Sequence, residues 1–550
     1  MRFAAPLLAG ALCIYAAGCG GESTSTPPPP PPPATTYALT VNSTNPTSGA
    51  AISVGPADTS NHANGTTPFT RTYDTGTSVT LTAAATAGGN NFTSWSGCTT
   101  AKGSACTVTV NAAATVTANY TASHASVTYY VSGSGSDSAD GLSAATAFLT
   151  LQHAADQTQP GDTVYVMDGT YKNSCAGCNV LDIATPGTAE AWITYKAYPG
   201  QTPAISFNGW AGIFLHPSAA YIEVNGFTVI GNNANVTLAG ALAQSTTNPD
   251  PAYNGNCVSV DGRNSTSNTP PHHIRILNNT ISECGGAGVG TAWTDYVTIA
   301  GNTIFNSAWY SIYGASAIST WENWSADTST GYKMFITGNR IYSNSELVPV
   351  AGGNPPQITD GEGIIVDSTR NSEYNPTDDP LPAYAGRTLV ANNVLYGNGS
   401  AAIEAFQSDH VDVVNNSTYA NVTNPPLSGR GEMFLNQTSD VNVFNNIFFS
   451  ASGQNPVTSV PGSTASILLD YNLYYNGAIS GDVAAGAHDL FSDPLYTHPS
   501  NANLMDVLLS VSASSPAIGS GTSNLAPSTD FAGNPRPGAK GFDRGAYQQP

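Results

Sequence analysis

At 550 residues the chain exceeds one ordinary domain, unless an elongated repeat takes up much of the length. Charged residues are only 9%, beside 55 Gly and 37 Pro, which suits a β-rich extracellular protein with polar turns and not a helical cytosolic enzyme. The formal charge of -21, from 15 Lys+Arg against 36 Asp+Glu, argues against nucleic acid as a partner, and an acidic polysaccharide would be repelled unless cations such as Ca²⁺ intervened.

The N-terminus reads as a targeting segment. Arg2 precedes an apolar run from Phe3 to Ala17, followed by Gly18 and Cys19. This resembles a bacterial lipoprotein signal, which implies cleavage before Cys19, lipid on that residue and a place in the cell envelope; an ordinary secretory signal is the alternative. No later apolar run approaches the roughly 20 residues that span a bilayer, so the membrane contact expected is the lipid alone. Residues 20–36 form a linker with the proline run Pro27 to Pro33, a stiff polyproline II spacer. Setting aside Cys13 and Cys19, six cysteines remain, an even number for an oxidising compartment. Cys98–Cys106 and Cys175–Cys178 are the local pairings and Cys257–Cys284 is what is left. The C-x-x-C spacing of Cys175 and Cys178 lacks the βαβ context of a redox motif and the second C-x-x-C of a zinc site.

Residues 37–121 alternate apolar and polar in runs such as Tyr37–Val41, Ser78–Thr82 and Thr107–Val110, the pattern of a small β module. Phe92-x-x-Trp95-x-Gly97-Cys98 and the run Ala114 to Tyr120 resemble the divergent internalin B-repeat modules of bacterial surface proteins. That resemblance implies a stalk or adhesion role without catalysis. Trp95 is read as a core residue ahead of a sugar-stacking one.

From residue 127 to 550 a different style takes over. Tyr129 to Asp137, Phe148 to Asp156 and Pro160 to Val166 read as a strand, a short amphipathic helix and a second strand after a Pro-Gly turn. The segment resembles the N-terminal cap of secreted right-handed parallel β-helix proteins, including some pectate and alginate lyases. A unit then recurs: two alternating apolar residues, a turn Asn and another apolar residue, at Asn279, Asn302, Asn339, Asn393, Asn416 and Asn446. The spacings 23, 37, 54, 23 and 30 give a base coil of 23 residues with the excess looped out. Period-two apolar residues fill a core, and Asn tolerates the left-handed conformation of a bend and can bond its stacked neighbour. The predicted fold is therefore all-β, a parallel β-helix preceded by a small β module. The close from Asp493 to Tyr547 resembles the terminal segment of such proteins.

Aligning coils on their asparagines gives two outward slots per coil. The first runs Gly290, Ser319, Ile365, Glu404, Phe434, and the second Ala292, Trp321, Asp367, Phe406, Asn436. Rungs are about 4.8 Å apart, so Asp367 and Glu404 fall on neighbouring coils flanked by Trp321 and Phe406. Carboxylates beside aromatic faces on one open surface are what a polysaccharide site needs: rings stack on pyranoses and acids bind hydroxyls, hold Ca²⁺ or move protons. Insertions at 320–332 and 368–387 are expected to wall this face, bringing Glu322, Asp327, Arg370, Glu373, Asp378 and Asp379. His410 and Asn436 are further candidate contacts, and Asp360 and Glu362 candidate calcium ligands.

Two chemistries compete. A lyase takes the proton beside a uronate carboxyl, using a Lys or Arg base and commonly Ca²⁺; Lys333, Arg370 and Arg430 are the candidates. A hydrolase needs two carboxylates, for which Asp367 with Glu404 or Glu362 would serve. The lyase is the first expectation, the hydrolase the second and a non-catalytic adhesion protein the third. A monomer is expected.

Overall fold

The structure, a computed structural model, describes residues 35–122, 124–263, 265, 269–371, 381–500 and 503–549. The signal, Cys19, the proline spacer, Glu373, Asp378 and Asp379 lie outside the described residues. The chain divides into two compact units, Met1–Ser123 and His124–Pro550.

In the first unit two five-stranded sheets enclose a core of alternating residues. Val79, Leu81 and Ala83 of the strand Thr77–Ala83 point inward while their neighbours face solvent. Trp95 packs in this core with its indole Nε1 donating to the Ser104 carbonyl at 2.8 Å, and Cys98 is bonded to Cys106.

The second unit is a right-handed parallel β-helix. Among the described residues its coils stack into three parallel sheets of 11, 11 and 9 strands. The first sheet runs from Thr128–Val131 to Thr464–Asp470, the second from Thr170–Lys172 to Leu490–Phe491, and the third from Leu181–Ile183 to Val457–Ser459. Each coil visits the sheets in that order. Inward Ile, Val and Leu from all three make one continuous core, as in the row Ile222, Ile274 and Val297. A helix, Leu151–Gln157, sits beside the first coils with Leu151, Ala154 and Ala155 buried; Thr150 caps it by accepting from the His153 amide. Cys257 and Cys284 are bonded within the core, and Cys175 is bonded to Cys178.

The repeated asparagines form a buried ladder at the bend between the first and second sheets. Each Oδ1 accepts from both the backbone N and the Nδ2 of the rung before it, from Asn279 through Asn302, Asn339, Asn393, Asn416 and Asn446 to Asn472. The left-handed conformation assigned above to these residues belongs instead to the one before: Asn278, Asn392 and Asn415 have φ of 55, 55 and 54°, and Gly301 and Gly338 take the same place. The preceding residue makes the bend, which frees the ladder Asn to aim its amide inward. A second ladder, at the bend between the second and third sheets, runs Asn344, Asn398, Asn421 and ends on the carboxylate of Glu432.

The outer face of the second sheet carries the stack Phe305, Tyr342, Tyr396, with ring centroids 5.0 Å apart at each step. The C-terminal segment covers this side of the sheet through Leu504, Val507, Leu509, Val511 and Ala517.

Candidate active-site cleft

The third sheet positions the site. Its rung pairing is the one read from the asparagines: Gly290, Ser319, Ile365, Glu404 and Phe434 make one row, and Ala292, Trp321, Asp367, Phe406 and Asn436 the next. The second row extends one rung further back, to Asp261. Parallel pairing in register and period-two side chains turn residues far apart in sequence into neighbours one rung apart.

These rows floor a cleft of about 1000 Å³. Its walls come mostly from the connections between the second and third sheets, including Tyr313, Asp360 and Arg430. The insertions after the third-sheet strands, expected to wall it, turn the other way. Glu322 accepts from the Trp293 indole at 3.1 Å, and the Tyr384 hydroxyl donates to Asp295 at 2.6 Å, so both loops pack toward the first sheet. Apart from Trp321, which closes the third-sheet strand Ile318–Trp321, the described residues of those loops are absent from the cleft lining.

Three candidates fall elsewhere. Lys333 is fully buried at the first sheet, its Nζ 2.9 Å from Asp295 and 2.7 Å from Asp327, so it is no base for this cleft. Arg370 is paired with Asp409 at 2.8 Å, and His410 Nδ1 lies 2.6 Å from Asp440. None of the three lines the cleft.

Arg430 does enter it, in a role the sequence did not reveal. Its Nη1 donates at once to Glu362 Oε1 and Glu404 Oε2, and at 3.1 Å to Ser400 Oγ, while the guanidinium lies 4.8 Å from the Phe434 ring centroid. The other Glu362 oxygen accepts from Ser316 Oγ at 2.5 Å. With both oxygens engaged, Glu362 does not fit the calcium ligand expected of it. Among the described residues no group of three or more His, Cys, Asp and Glu is arranged to hold a metal ion.

Burial sets the proton affinities here. Glu404 is 2% exposed; burial first, and the Glu362 charge second, push its carboxyl well above the ordinary range, and the Arg430 charge only partly offsets them. Glu346, behind Asp360, is pushed up to about 9 by burial and then by the Asp360 charge. Its Oε2 accepts from the Thr359 and Asp360 amides at 2.6 and 2.9 Å. Burial alone would lower the Arg430 pKa, but Glu404 and Glu362 outweigh it and raise it, so this guanidinium stays charged.

The cleft also holds residues not picked out in the sequence. Arg263 grips both oxygens of Asp261, with Nη2 to Oδ2 at 2.6 Å, and its guanidinium lies 5.8 Å from the Trp321 ring. Trp210 and Tyr313, 43% and 49% exposed, add two open aromatic surfaces. The floor therefore offers aromatic faces, a buried acid of raised proton affinity, and a second carboxyl, Asp367, one rung away on the diagonal.

Residues 129–345 match the family model of the Pel9A-like right-handed beta helix region, and residues 56–124 match that of the divergent InlB B-repeat domain. No curated protein is similar to it. Similar solved structures include pectate lyase Pel9A, at 14% identity and TM-score 0.43, covering 78% of this chain and 97% of that one. Another is the GH136 lacto-N-biosidase from Eubacterium ramulus, at 14% identity and TM-score 0.38, covering 67% of each chain. A third is the alginate lyase from Paenibacillus sp. str. FPU-7, at 13% identity and TM-score 0.36, covering 66% and 99%.

Proposed function

We propose that this protein is a secreted or cell-surface polysaccharide-active enzyme whose third-sheet cleft hydrolyses glycosidic bonds with Glu404 as proton donor and Asp367 as the second carboxylate. The observation that carries this reading is the placement of Glu404, buried and with its proton affinity raised by that burial, diagonally across one rung from Asp367, whose row also holds Trp321 and Phe406. One rung and two residues along a strand separate their Cα atoms by roughly 8 Å. Flexible side chains on such a frame reach the ~5–9.5 Å carboxyl separations that glycoside hydrolysis uses. A sugar stacked on Trp321 or Phe406 then has its bond beside both acids. Glu404 donates a proton to the departing oxygen, and Asp367 activates water or attacks the sugar carbon. Arg430 holds Glu404 in place, and the raised proton affinity keeps the acid loaded near neutral pH.

A lyase is the second reading, favoured by the Pel9A-like match over 129–345. It would need a base in the cleft, and the one expected base that lines it, Arg430, is fixed as a cation between two carboxyls. Calcium held by Asp360 belongs to this reading. The lipoprotein-like start, with Cys19 as the lipid carrier and the proline run as a spacer, supports tethering to the cell envelope.

The test is a digest of neutral and acidic polysaccharides, with and without Ca²⁺, read by reducing ends and by absorbance of unsaturated products. New reducing ends without absorbance, lost at least about 10³-fold in Glu404→Gln and Asp367→Asn, support hydrolysis. Absorbance from an unsaturated product overturns it in favour of the lyase, and binding without any product leaves an adhesion protein.

A further inference from the structure

We infer that the polymer in this cleft is a neutral glycan and not a polyuronate. The inference rests on the proposed polysaccharide site and adds its substrate class.

The sequence contains 15 Lys and Arg residues, and only Arg263 and Arg430 line the cleft among the described residues. Each is committed to protein carboxyls. Arg263 holds both oxygens of Asp261, and Arg430 lies between Glu362 and Glu404. The Arg263 pairing uses the Nε–Nη2 edge that a uronate carboxylate would need for a two-point contact, and Arg430 Nη1 is already shared among Glu362, Glu404 and Ser400. Against these two cations the same lining carries the carboxylates of Asp261, Asp360 and Asp367, with Glu362 directly behind, even with Glu404 left out as the proton donor. A chain with one carboxylate per sugar would bring a row of like charges along that floor, into a protein whose formal charge is -21.

What the cleft does offer suits uncharged sugars. The row Asp261, Ala292, Trp321, Asp367, Phe406, Asn436 spans six rungs, on the order of 24 Å, enough for an oligosaccharide stretch. Trp321 and Phe406 sit two rungs apart along it with Asp367 between, and Trp210 and Tyr313 add exposed rings. Aromatic faces and carboxyl or amide acceptors recognise C–H faces and hydroxyls without needing substrate charge.

Affinity electrophoresis of the Glu404→Gln protein tests this, with and without a second change, Trp321→Ala. Gels would contain a neutral polymer (mixed-linkage β-glucan, galactomannan, xyloglucan or arabinan) or an acidic one (polygalacturonate, alginate or hyaluronate). Each is run at low and 0.3 M salt, with and without Ca²⁺. We expect at least one neutral polymer to retard the protein, with less than about twofold change on adding salt. The retardation should weaken tenfold or more with Trp321→Ala, while acidic polymers bind at least tenfold more weakly. Tryptophan-dependent binding that is tighter for an acidic polymer than for every neutral one overturns the substrate class and leaves the polysaccharide site standing. If no polymer of either kind shows tryptophan-dependent retardation, while thermal melts show the variant folded, the polysaccharide site itself fails.

Discussion

Replacing Glu432 by Gln should make the protein's stability less sensitive to pH. Glu432 is fully buried and closes the second ladder, accepting from Asn421 N at 2.9 Å and Asn421 Nδ2 at 2.6 Å. Burial, outweighing those hydrogen bonds, raises its carboxyl from 4.5 to about 7. Between those two values the folded state holds a proton that the unfolded chain has released, so stability falls as pH rises through the window. At about 1.4 kcal/mol per tenfold in proton affinity, the full loss is roughly 3 kcal/mol. Gln removes that dependence but offers one acceptor where two are used, a constant penalty of about 1 kcal/mol. Urea unfolding followed by tryptophan fluorescence at pH 4.5, 6, 7 and 8 should therefore show the variant weaker than the parent at pH 4.5 and stronger at pH 8. A difference constant to within about 0.5 kcal/mol over that range would refute the reasoning, because it would mean that Glu432 is no more protonated in the folded than in the unfolded chain.

Four further outcomes follow from the same structure. Glu346, Glu404 and Glu432 are all raised, whereas Asp327 is lowered to about 2, chiefly by its hydrogen bond to Lys333, so thermal midpoints should peak near about pH 4–5 and decline on both sides. Arg430→Met leaves Glu362 and Glu404 buried without their cation and should cost about 3–5 kcal/mol at neutral pH, read by urea unfolding, with partial recovery on acidification. Asn393→Ala strips the acceptor from Asn339 N and Nδ2 mid-ladder and should cost about 2–5 kcal/mol in the same assay. Lys333→Met should lower stability because Asp295 is left buried, yet leave turnover per folded molecule within about twofold, since Lys333 lies outside the cleft.

Much of the frame was legible in the sequence because a solenoid repeats its local rules. Asn279 through Asn446 announced the rungs, and counting back from them placed Trp321 beside Asp367 and Glu404 beside Ile365 with no structural input. The second ladder carried a signal that went unused: Asn344, Asn398 and Asn421 each follow a first-ladder Asn by five residues. Loop geometry was the opaque part. Which way an insertion folds depends on tertiary packing, so Asp327 and Tyr384 went to Lys333 and Asp295 and not to the cleft. Arg430 was visible as a candidate base, but its grip on Glu362, 68 residues earlier and on another coil, has no local signature. Lys333 misled because a lone cation in an alternating strand looks exposed until a covering loop is known.

The two asparagine rows also have a direction. Every side-chain amide in them points its carbonyl toward the preceding coil and its N–H toward the following one, so the small dipoles add along the axis as they do in an α-helix. The partial positive end of each row faces the C-terminal coils, and there each meets an acid, Glu432 for one and Asp489 for the other. A lengthened version of this solenoid would have to move those terminators with it: any added coil must present an oxygen to the two N–H groups at the growing end, or the row finishes on buried donors with nothing to receive them.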